Sequence, residues 1–444
     1  MSSTTNNKDK TAADRSEEMT PERKRAILAR KKKRARQRRV KKQMIFVLAL
    51  LAVIVAATVI GVSVWHSAKK DTKEKVQVEQ ETKEPAMNTK SVKEDEVLHL
   101  SFYTLIAVPE TAFQQKDKQV SETLAQKHIT VKEFESILQQ LYEQNYILIR
   151  MHDLADGESV QIPLDKKPLI ISQQDVNYDL RLREKGFSSR LIVDAGGKIV
   201  NERIRMDGSM TTGNFDVIPC IEQFVREHPD FSYNGAKGVI GLTGYQGILG
   251  YRTAPFFGQA ENNPFVSEFG LFDVEKEKQQ VQILIQALKD AGWEFACNGY
   301  QGVSYNTSVD QIRQDMALWK EQVEPLVGPV DILLYPQGND LNMRQPYSSE
   351  DERYEYLKEC GIHFYCALDR TGSWVNRRND ELRSNYQMID GYRMHQDLYD
   401  HAGYFEGVLD FSHIYDQTRP GGELAKTDEE ETEEEQENQE TDEE

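Results

Sequence analysis

Cysteine and closely spaced histidines are scarce in this sequence. The four cysteines, at 220, 297, 360 and 366, form no C-x-x-C pair, which argues against a zinc ribbon or a thioredoxin-like redox site. Four cysteines permit three disulfide pairings, and the sequence does not choose among them. No two of the nine histidines are three, four or five residues apart, so a local H-x-x-x-H metal pair is excluded.

Several common catalytic signatures are also absent. The chain has no G-x-S-x-G, no H-E-x-x-H, no Walker A sequence and no G-x-G-x-x-G. The remaining composition, with 39% hydrophobic and 29% charged residues, is that of a globular protein. It excludes collagen-like and wholly disordered chains.

Charge is distributed unevenly along the chain. Residues 1–42 carry 16 Lys and Arg against 5 acids, so the net charge of −18 leaves −29 for everything that follows. Twelve acids lie in residues 427–444, and such a block repels itself and has nothing to bury. We therefore predict a basic tail at 1–42 and a disordered acidic tail at 422–444.

An uncharged apolar stretch follows the basic tail. Residues 44–65 are 22 consecutive residues without a charged side chain, enough for a helix to cross a hydrocarbon layer of about 30 Å. We predict a transmembrane helix at 43–66 in a cell membrane. The 13 basic residues of 23–42 indicate a cytoplasmic N-terminus and an extracellular C-terminal part. A cleaved signal peptide is the alternative, but the apolar stretch is long and no A-x-A site follows it.

The exported part divides into a stalk and a domain. Residues 67–96 are charged and without a sustained period, which is typical of a stalk. In residues 97–421, short apolar strands alternate with helices, the pattern of a parallel α/β domain. A capping box at Thr130 predicts a helix ending near Gln144, and a second helix is predicted over Val281–Ala291, closed by Gly292. Periodicity leaves a barrel and an open sheet as alternatives.

Four segments of this domain resemble the polysaccharide deacetylases of Gram-positive bacteria, the nodulation-type or carbohydrate esterase family four group. They are residues 102–106 (FYTLI, with 130–154 behind), 167–178 (KPLIISQQDVNY), 292–302 (GWEFACNGYQG) and 332–340 (ILLYPQGND). The resemblance implies a distorted (β/α) barrel that deacetylates wall sugars. It also implies a catalytic base and an Asp-His-His set that holds a divalent metal ion.

This sequence departs from the family at most of those positions. Gln174 stands at the base position, while Asp175 keeps the position of the metal-binding aspartate. Asn298 and Gly302 stand where the resemblance implies two histidines, and Tyr103 replaces a histidine often found on the first strand. A neutral amide has no accessible pKa for general base catalysis, and glycine has no side chain to bind a metal. We therefore expect no catalytic residues and no cofactor.

The expected function is binding of a cell-wall glycan or a wall-associated protein in the old substrate cleft. The alternative is an active deacetylase or other hydrolase with a rearranged site and a divalent metal such as zinc, for which Asp175 is the candidate ligand. No nucleic-acid partner is expected, because the basic run lacks interleaved aromatics. Candidate binding residues, several at strand ends where an aromatic floor would suit sugar rings, are Tyr103, Asp175, Asn177, Tyr178, Asn298, Tyr300 and Tyr335.

Overall fold

The computed structural model of the chain describes residues 88–155, 160–205, 207–259, 263–342, 345–369, 372–378 and 381–420. The predicted basic tail, transmembrane helix and acidic tail lie outside these residues. Within the described ranges, no helix has both the length and the apolar character needed to span a membrane.

Fourteen strands are present in the described residues. They are β1 (Thr89–Ser91), β2 (Leu98–Phe102), β3 (Tyr146–Leu148), β4 (Gln161–Pro163), β5 (Lys167–Gln173), β6 (Arg190–Val193), β7 (Ile199–Ile204), β8 (Met210–Gly213), β9 (Val239–Leu242), β10 (Glu294–Cys297), β11 (Ile332–Leu334), β12 (Phe364–Leu368), β13 (Val375–Arg378) and β14 (Glu381–Met388).

Ten α-helices are present in the same residues. They are α1 (Pro109–Phe113), α2 (Lys118–Lys127), α3 (Val131–Glu143), α4 (Val217–Glu227), α5 (Pro264–Phe269), α6 (Val274–Ala291), α7 (Val309–Gln322), α8 (Glu324–Val327), α9 (Glu352–Glu359) and α10 (Gly391–Tyr399).

Seven parallel strands close into a barrel. In ring order they are β2, β5, β9, β10, β11, β12 and β14, and β14 returns to pair with β2. Every neighbouring pair in the ring is parallel. This confirms the predicted (β/α) barrel and excludes the open sheet, because the first and last strands of the ring are joined.

Three smaller sets of paired strands lie outside the ring of seven strands. Strand β3 pairs with the first residues of β5, while β9 pairs with its last two. Strands β6, β7 and β8 form a separate antiparallel sheet between β5 and α4. Strand β1 pairs with β4, so residues of the predicted stalk from Thr89 onward pair with the domain.

Alternation along the strands separates two cores. On β2, Leu98, Leu100 and Phe102 pack in the larger cluster with helix residues such as Phe134. Residues of the other parity point into the barrel, because successive side chains of a strand face opposite sides. Its apolar interior includes Ile170, Val239, Ala296, Ile332, Phe364 and Leu382.

Helix ends follow the signals in the sequence. The Thr130 hydroxyl accepts from the Glu133 main-chain N–H at 3.1 Å, and the Glu133 carboxylate accepts from the Thr130 N–H at 2.6 Å. This confirms the predicted capping box. Gly292, at φ +101°, closes α6 as predicted. However, α6 begins at Val274 rather than Val281, because Asp273 caps it there.

A histidine clamps the face formed by the amino ends of the strands. His152 follows β3, and its Nδ1 and Nε2 lie 2.5 Å from Glu294 Oε1 and 2.9 Å from Asp331 Oδ1. Hydrogen bonds with Asp331 and Glu294 raise the pKa of His152 to about 10. An imidazolium with two carboxylate partners therefore joins β3 to the beginnings of β10 and β11.

Candidate functional site

The carboxyl ends of the barrel strands bring several of the predicted residues to one face, which we call the mouth. Tyr103 follows β2, Asp175 follows β5 and Asn298 follows β10. Thr243, which follows β9, joins them. Parallel strands carry their carboxyl ends to the same side, and barrel enzymes place their active sites there.

Asp175 is fixed by its neighbours at this mouth. Its main-chain N–H donates to Asn298 Oδ1 at 3.0 Å, and its φ of +53° is left-handed. Its Oδ1 accepts from Asn177 Nδ2 at 2.7 Å and from the Thr243 hydroxyl at 2.5 Å. Burial raises the pKa of Asp175 to about 6, although the hydrogen bond from Thr243 and the charge of Lys127 oppose the rise.

Gln174, at the position of the implied base, points into the barrel. Its Nε2 donates to Ser101 Oγ at 2.9 Å, and Ser101 also accepts from Ser172 Oγ at 2.9 Å. Ser172 in turn lies 2.8 Å from His99 Nε2. Burial lowers the pKa of His99 to about 3, so this imidazole is neutral. The chain from Gln174 to His99 is therefore an uncharged polar layer inside the barrel.

The two positions of the implied histidines have different surroundings. Asn298 is buried, and its Nδ2 donates to the Leu334 carbonyl at 2.8 Å while its Oδ1 accepts from Asp175. Both ends of its amide thus hold main-chain groups. Gly302 has a φ of +67°, and a Cβ added there would meet nothing within 4 Å. Its carbonyl accepts from Gln337 Nε2 at 3.1 Å.

Three of the predicted tyrosines have their hydroxyl groups bonded away from the mouth. Tyr178 accepts from Asn201 Nδ2 at 2.9 Å. Tyr300 donates to Gln322 on α7 at 2.5 Å, and the Tyr335 hydroxyl lies 2.8 Å from that of Tyr347. All three are buried in the larger core cluster between strands and helices. The structure therefore groups Tyr103, Asp175, Asn177 and Asn298 and places these tyrosines in the core.

Charged residues that sequence reasoning missed surround Tyr103. Lys127, at the end of α2, holds its Nζ 4.5 Å from the centre of the Tyr103 ring. Burial raises the pKa of Tyr103 to about 12, and the nearby Asp390 and Asp175 add to the rise. Asp390 caps α10 and forms an ion pair with Arg393. In the sequence this pair is visible only as an aspartate three residues before an arginine. Such patterns are common at helix starts, so the pattern does not indicate a site.

The four cysteines are free thiols. Cys297 is fully buried, and burial raises the pKa of its thiol far above the ordinary value. A protonated buried thiol is inert as a nucleophile. Cys297 therefore belongs to the core behind Asn298 rather than to the mouth.

Comparison with known proteins gives structural similarities alone. No family model matches the sequence, and neither does any curated protein. Three similar solved structures are a Streptococcus pyogenes deacetylase, PplD, in complex with acetate, IcaB from Ammonifex degensii, and a de-N-acetylase from Aggregatibacter actinomycetemcomitans. The chain is similar in structure to deacetylases.

These structural similarities extend over about two thirds of this chain, but the sequence identities and TM-scores are low. Sequence identities to PplD, IcaB and the de-N-acetylase are 13%, 11% and 13%, with TM-scores of 0.37, 0.35 and 0.37. They cover 68%, 68% and 66% of this chain and 94%, 94% and 95% of the other chains. At such TM-scores they carry no argument about chemistry, which rests on the residues of this chain.

The donor set at the mouth does not fit the divalent metal that the family resemblance implies. Asp175 offers a carboxylate whose Oδ1 already accepts two hydrogen bonds. The Asn298 oxygen accepts from the Asp175 main chain, and Gly302 offers no side chain. Zinc sites in proteins use three or four nitrogen, sulfur or carboxylate ligands. In the described ranges, no group of three His, Cys, Asp or Glu side chains is arranged to hold a metal ion.

Proposed function

We propose that this chain is a membrane-anchored protein that binds a cell-wall glycan at the mouth of its barrel without hydrolysing it. The observation that carries the proposal is the way the implied catalytic positions are used. The amide groups of Gln174 and Asn298 form hydrogen bonds that connect neighbouring parts of the barrel. A wall-associated protein is the alternative partner, and titration with an oligosaccharide distinguishes a glycan from a protein partner.

The absence of hydrolysis follows from the chemistry of Gln174. Hydrolysis of an acetyl group requires a base that takes a proton from the attacking water. A carboxamide does not accept a proton at physiological pH. Gln174 is also buried and turned towards Ser101, so it faces the barrel interior rather than the mouth.

Glycan binding is supported by the groups that surround the mouth. Tyr103 is partly exposed, and an aromatic ring with a polar end suits the apolar face of a pyranose. A cavity of about 400 Å³ is formed in part by the loop that follows β10 and is lined by Gln301, Ser304, Asn306 and Thr307, among others. Binding cavities for small molecules have volumes of about 300–1,000 Å³. Neutral amides and hydroxyls are both donors and acceptors, as sugar hydroxyls require.

Replacement of Tyr103 with alanine is expected to weaken binding of an acetylated chitooligosaccharide to the full-length chain about tenfold, equivalent to about 1.4 kcal/mol. The reason is the loss of the ring that packs on the sugar. Isothermal titration calorimetry measures the change. The matched control is Tyr399→Ala, because Tyr399 is also partly buried but is the last residue of α10, whose first turn lies at the mouth, and its loss should leave affinity unchanged. A parent chain that binds no oligosaccharide but retains a wall protein would favour the protein partner.

One observation favours an enzyme as the second candidate function. Asp175 is partly exposed at the mouth, and a carboxyl with a pKa of about 6 is suited to general acid–base chemistry near neutral pH. Acetate release should be measured in the same titrations. Release that rises with pH through about 6, and that Asp175→Asn abolishes, would establish this candidate and end the non-catalytic proposal.

Membrane anchoring by residues 43–66 predicts a single-pass topology with the domain outside. The 13 basic residues of 23–42 disfavour translocation of the N-terminus. Protease added to intact protoplasts should digest the domain and spare an N-terminal epitope tag. Permeabilised protoplasts, in which both ends are digested, are the control. Loss of the N-terminal tag in intact protoplasts would contradict the proposed orientation.

A further inference from the structure

A second cavity, of about 150 Å³, lies between the antiparallel sheet β6–β8 and the loop after β9. Its walls include the charged residues Arg183, Arg190, Glu202, Arg252 and Glu277 together with Ser189. A water molecule occupies about 10–15 Å³ of such a volume, so the cavity has room for a group larger than a single water. None of these residues takes part in the contacts of Asp175 at the mouth.

The two carboxylates of this cavity already have donors. Glu202 forms a two-point ion pair with Arg190, at 2.9 and 3.3 Å. Glu277 accepts the main-chain N–H of Arg252 at 2.9 Å. Three guanidinium groups against two carboxylates leave the wall with one net positive charge.

Two donors in the wall are buried without a hydrogen-bond partner among the described residues. They are the Nε–H of Arg183 and the hydroxyl of Ser189. A buried donor without an acceptor costs about 1–3 kcal/mol, more when the group is charged. Native proteins satisfy nearly all such groups, so these two donors indicate an acceptor inside the cavity.

Arg252 supplies the buried positive charge. It is 1% exposed, and its guanidinium donates to the Gln246 carbonyl at 2.8 Å and to the Asn177 and Tyr178 carbonyls at 3.0 and 2.6 Å. Carbonyl groups orient a guanidinium without neutralising it. Burial lowers the pKa of Arg252 to about 10, and the charge of Arg183 acts in the same direction, while the nearby carboxylates of Asp179 and Glu277 oppose the fall. An anion in the cavity would relieve both effects.

We propose that this cavity binds an oxyanion, a phosphate or carboxylate group, through hydrogen bonds from Arg183 and Ser189 and through the positive charge of Arg252. Guanidinium groups recognise both anions because their planar N–H donors match two oxygens at once. The inference does not depend on glycan binding at the mouth. The oxyanion is either free in solution or part of an acidic sugar, and the experiment separates these sources.

The test uses the full-length chain in detergent, titrated by calorimetry with inorganic phosphate, with glucuronate and with glucose. Binding of phosphate or glucuronate, but not of glucose, is expected, and it should weaken as salt is raised. Arg183→Gln should weaken it at least tenfold, and Ser189→Ala should weaken it to a smaller extent. Arg313→Gln is the matched control, because Arg313 lies on α7 outside the cavity wall and pairs with the exposed Asp310 instead.

Each outcome decides a point. Phosphate binding without glucuronate binding identifies a free phosphate, and the reverse identifies an acidic sugar. If neither anion binds, or if both variants bind as tightly as the parent, the proposal is wrong. Thermal unfolding of Arg183→Gln without ligand checks that it is folded. Were it not folded, Ser189→Ala alone would decide, because a serine hydroxyl without a partner can be removed without loss of structure.

Discussion

Replacement of Arg419 with methionine is expected to lower the free energy of unfolding by about 3–5 kcal/mol. Arg419 and Glu133 form an ion pair in which each side chain is only 1% exposed. Removal of the guanidinium leaves a buried carboxylate without its counter-charge. That cost exceeds the net value of the pair itself, because the carboxylate cannot return to water.

Further contacts of Arg419 add to the loss. Its Nη1 donates to the main-chain carbonyl groups of Ala125 and His128, at the end of α2. Glu133 also accepts from the Asp416 main-chain N–H at 2.8 Å. The pair thus joins the last described residues to the start of α3.

Urea denaturation of parent and variant measures the effect. Arg313→Met is the matched control, because Arg313 lies on α7 in an ion pair with Asp310 whose side chains are 48% and 79% exposed. Exposed pairs contribute about 0–1 kcal/mol. The double variant Arg419→Met with Glu133→Gln should be more stable than Arg419→Met alone. A single-variant loss no larger than that of the control would contradict the assignment.

The free energy of unfolding of Asp216→Asn, relative to that of the parent, is expected to increase as pH rises. Asp216 is fully buried and caps α4, and burial raises its pKa from 3.8 to about 6. A group whose pKa is higher in the folded state favours folding at low pH, and that contribution is lost as pH rises from about 3.8 to about 6. The shift corresponds to about 3 kcal/mol.

The neighbours of Asp216 can accept the amide. Its Oδ1 accepts from the Leu105 and Val217 main-chain N–H groups, both at 2.9 Å, and an asparagine oxygen can do the same. Its Oδ2 accepts from Gln173 Nε2 at 2.8 Å. Gln173 Oε1 is buried without a partner among the described residues, so a turned Gln173 amide can accept from the new Nδ2.

Urea denaturation at a series of pH values from about 4 to 7.5 tests this prediction. The difference in unfolding free energy between Asp216→Asn and the parent should grow by about 2 kcal/mol over that range, because part of the full shift falls below pH 4. Asp310→Asn is the control, because the exposed Asp310 side chain keeps contact with water. Its curve should run parallel to that of the parent. A parallel curve for Asp216→Asn would instead show that Asp216 is ionised without cost.

Much of the barrel could be predicted from sequence because most of its strands are apolar. The apolar runs of 330–334 and 362–367 each predict a strand, and the structure has strands at Ile332–Leu334 and Phe364–Leu368. Strand β14 could not be predicted, since Glu381–Met388 is largely polar although every residue in it is buried. Arg383 there pairs with Asp340 at 2.7 Å, a partner 43 residues away. The buried charge of Arg383 is compensated by a residue distant in sequence, and the local pattern of apolar residues does not reveal such a partner.

The site was predictable where it depended on strand ends. Asp175 and Asn298 come from different segments of the family resemblance, and the structure joins them by a hydrogen bond. Local pattern did not reveal that the Tyr300 and Tyr335 hydroxyls have partners in the core. Nor did it reveal Lys127, because Lys127 reaches Tyr103 from the end of a helix.

The clamp around His152 has a consequence for how this fold tolerates change. It secures the amino ends of β10 and β11 with contacts that the mouth residues do not share. Mouth side chains that form no hydrogen bonds within the barrel can therefore be exchanged at little cost to folding, provided that this contact at the opposite face persists. The same separation makes the mouth the natural place to select new binding specificities.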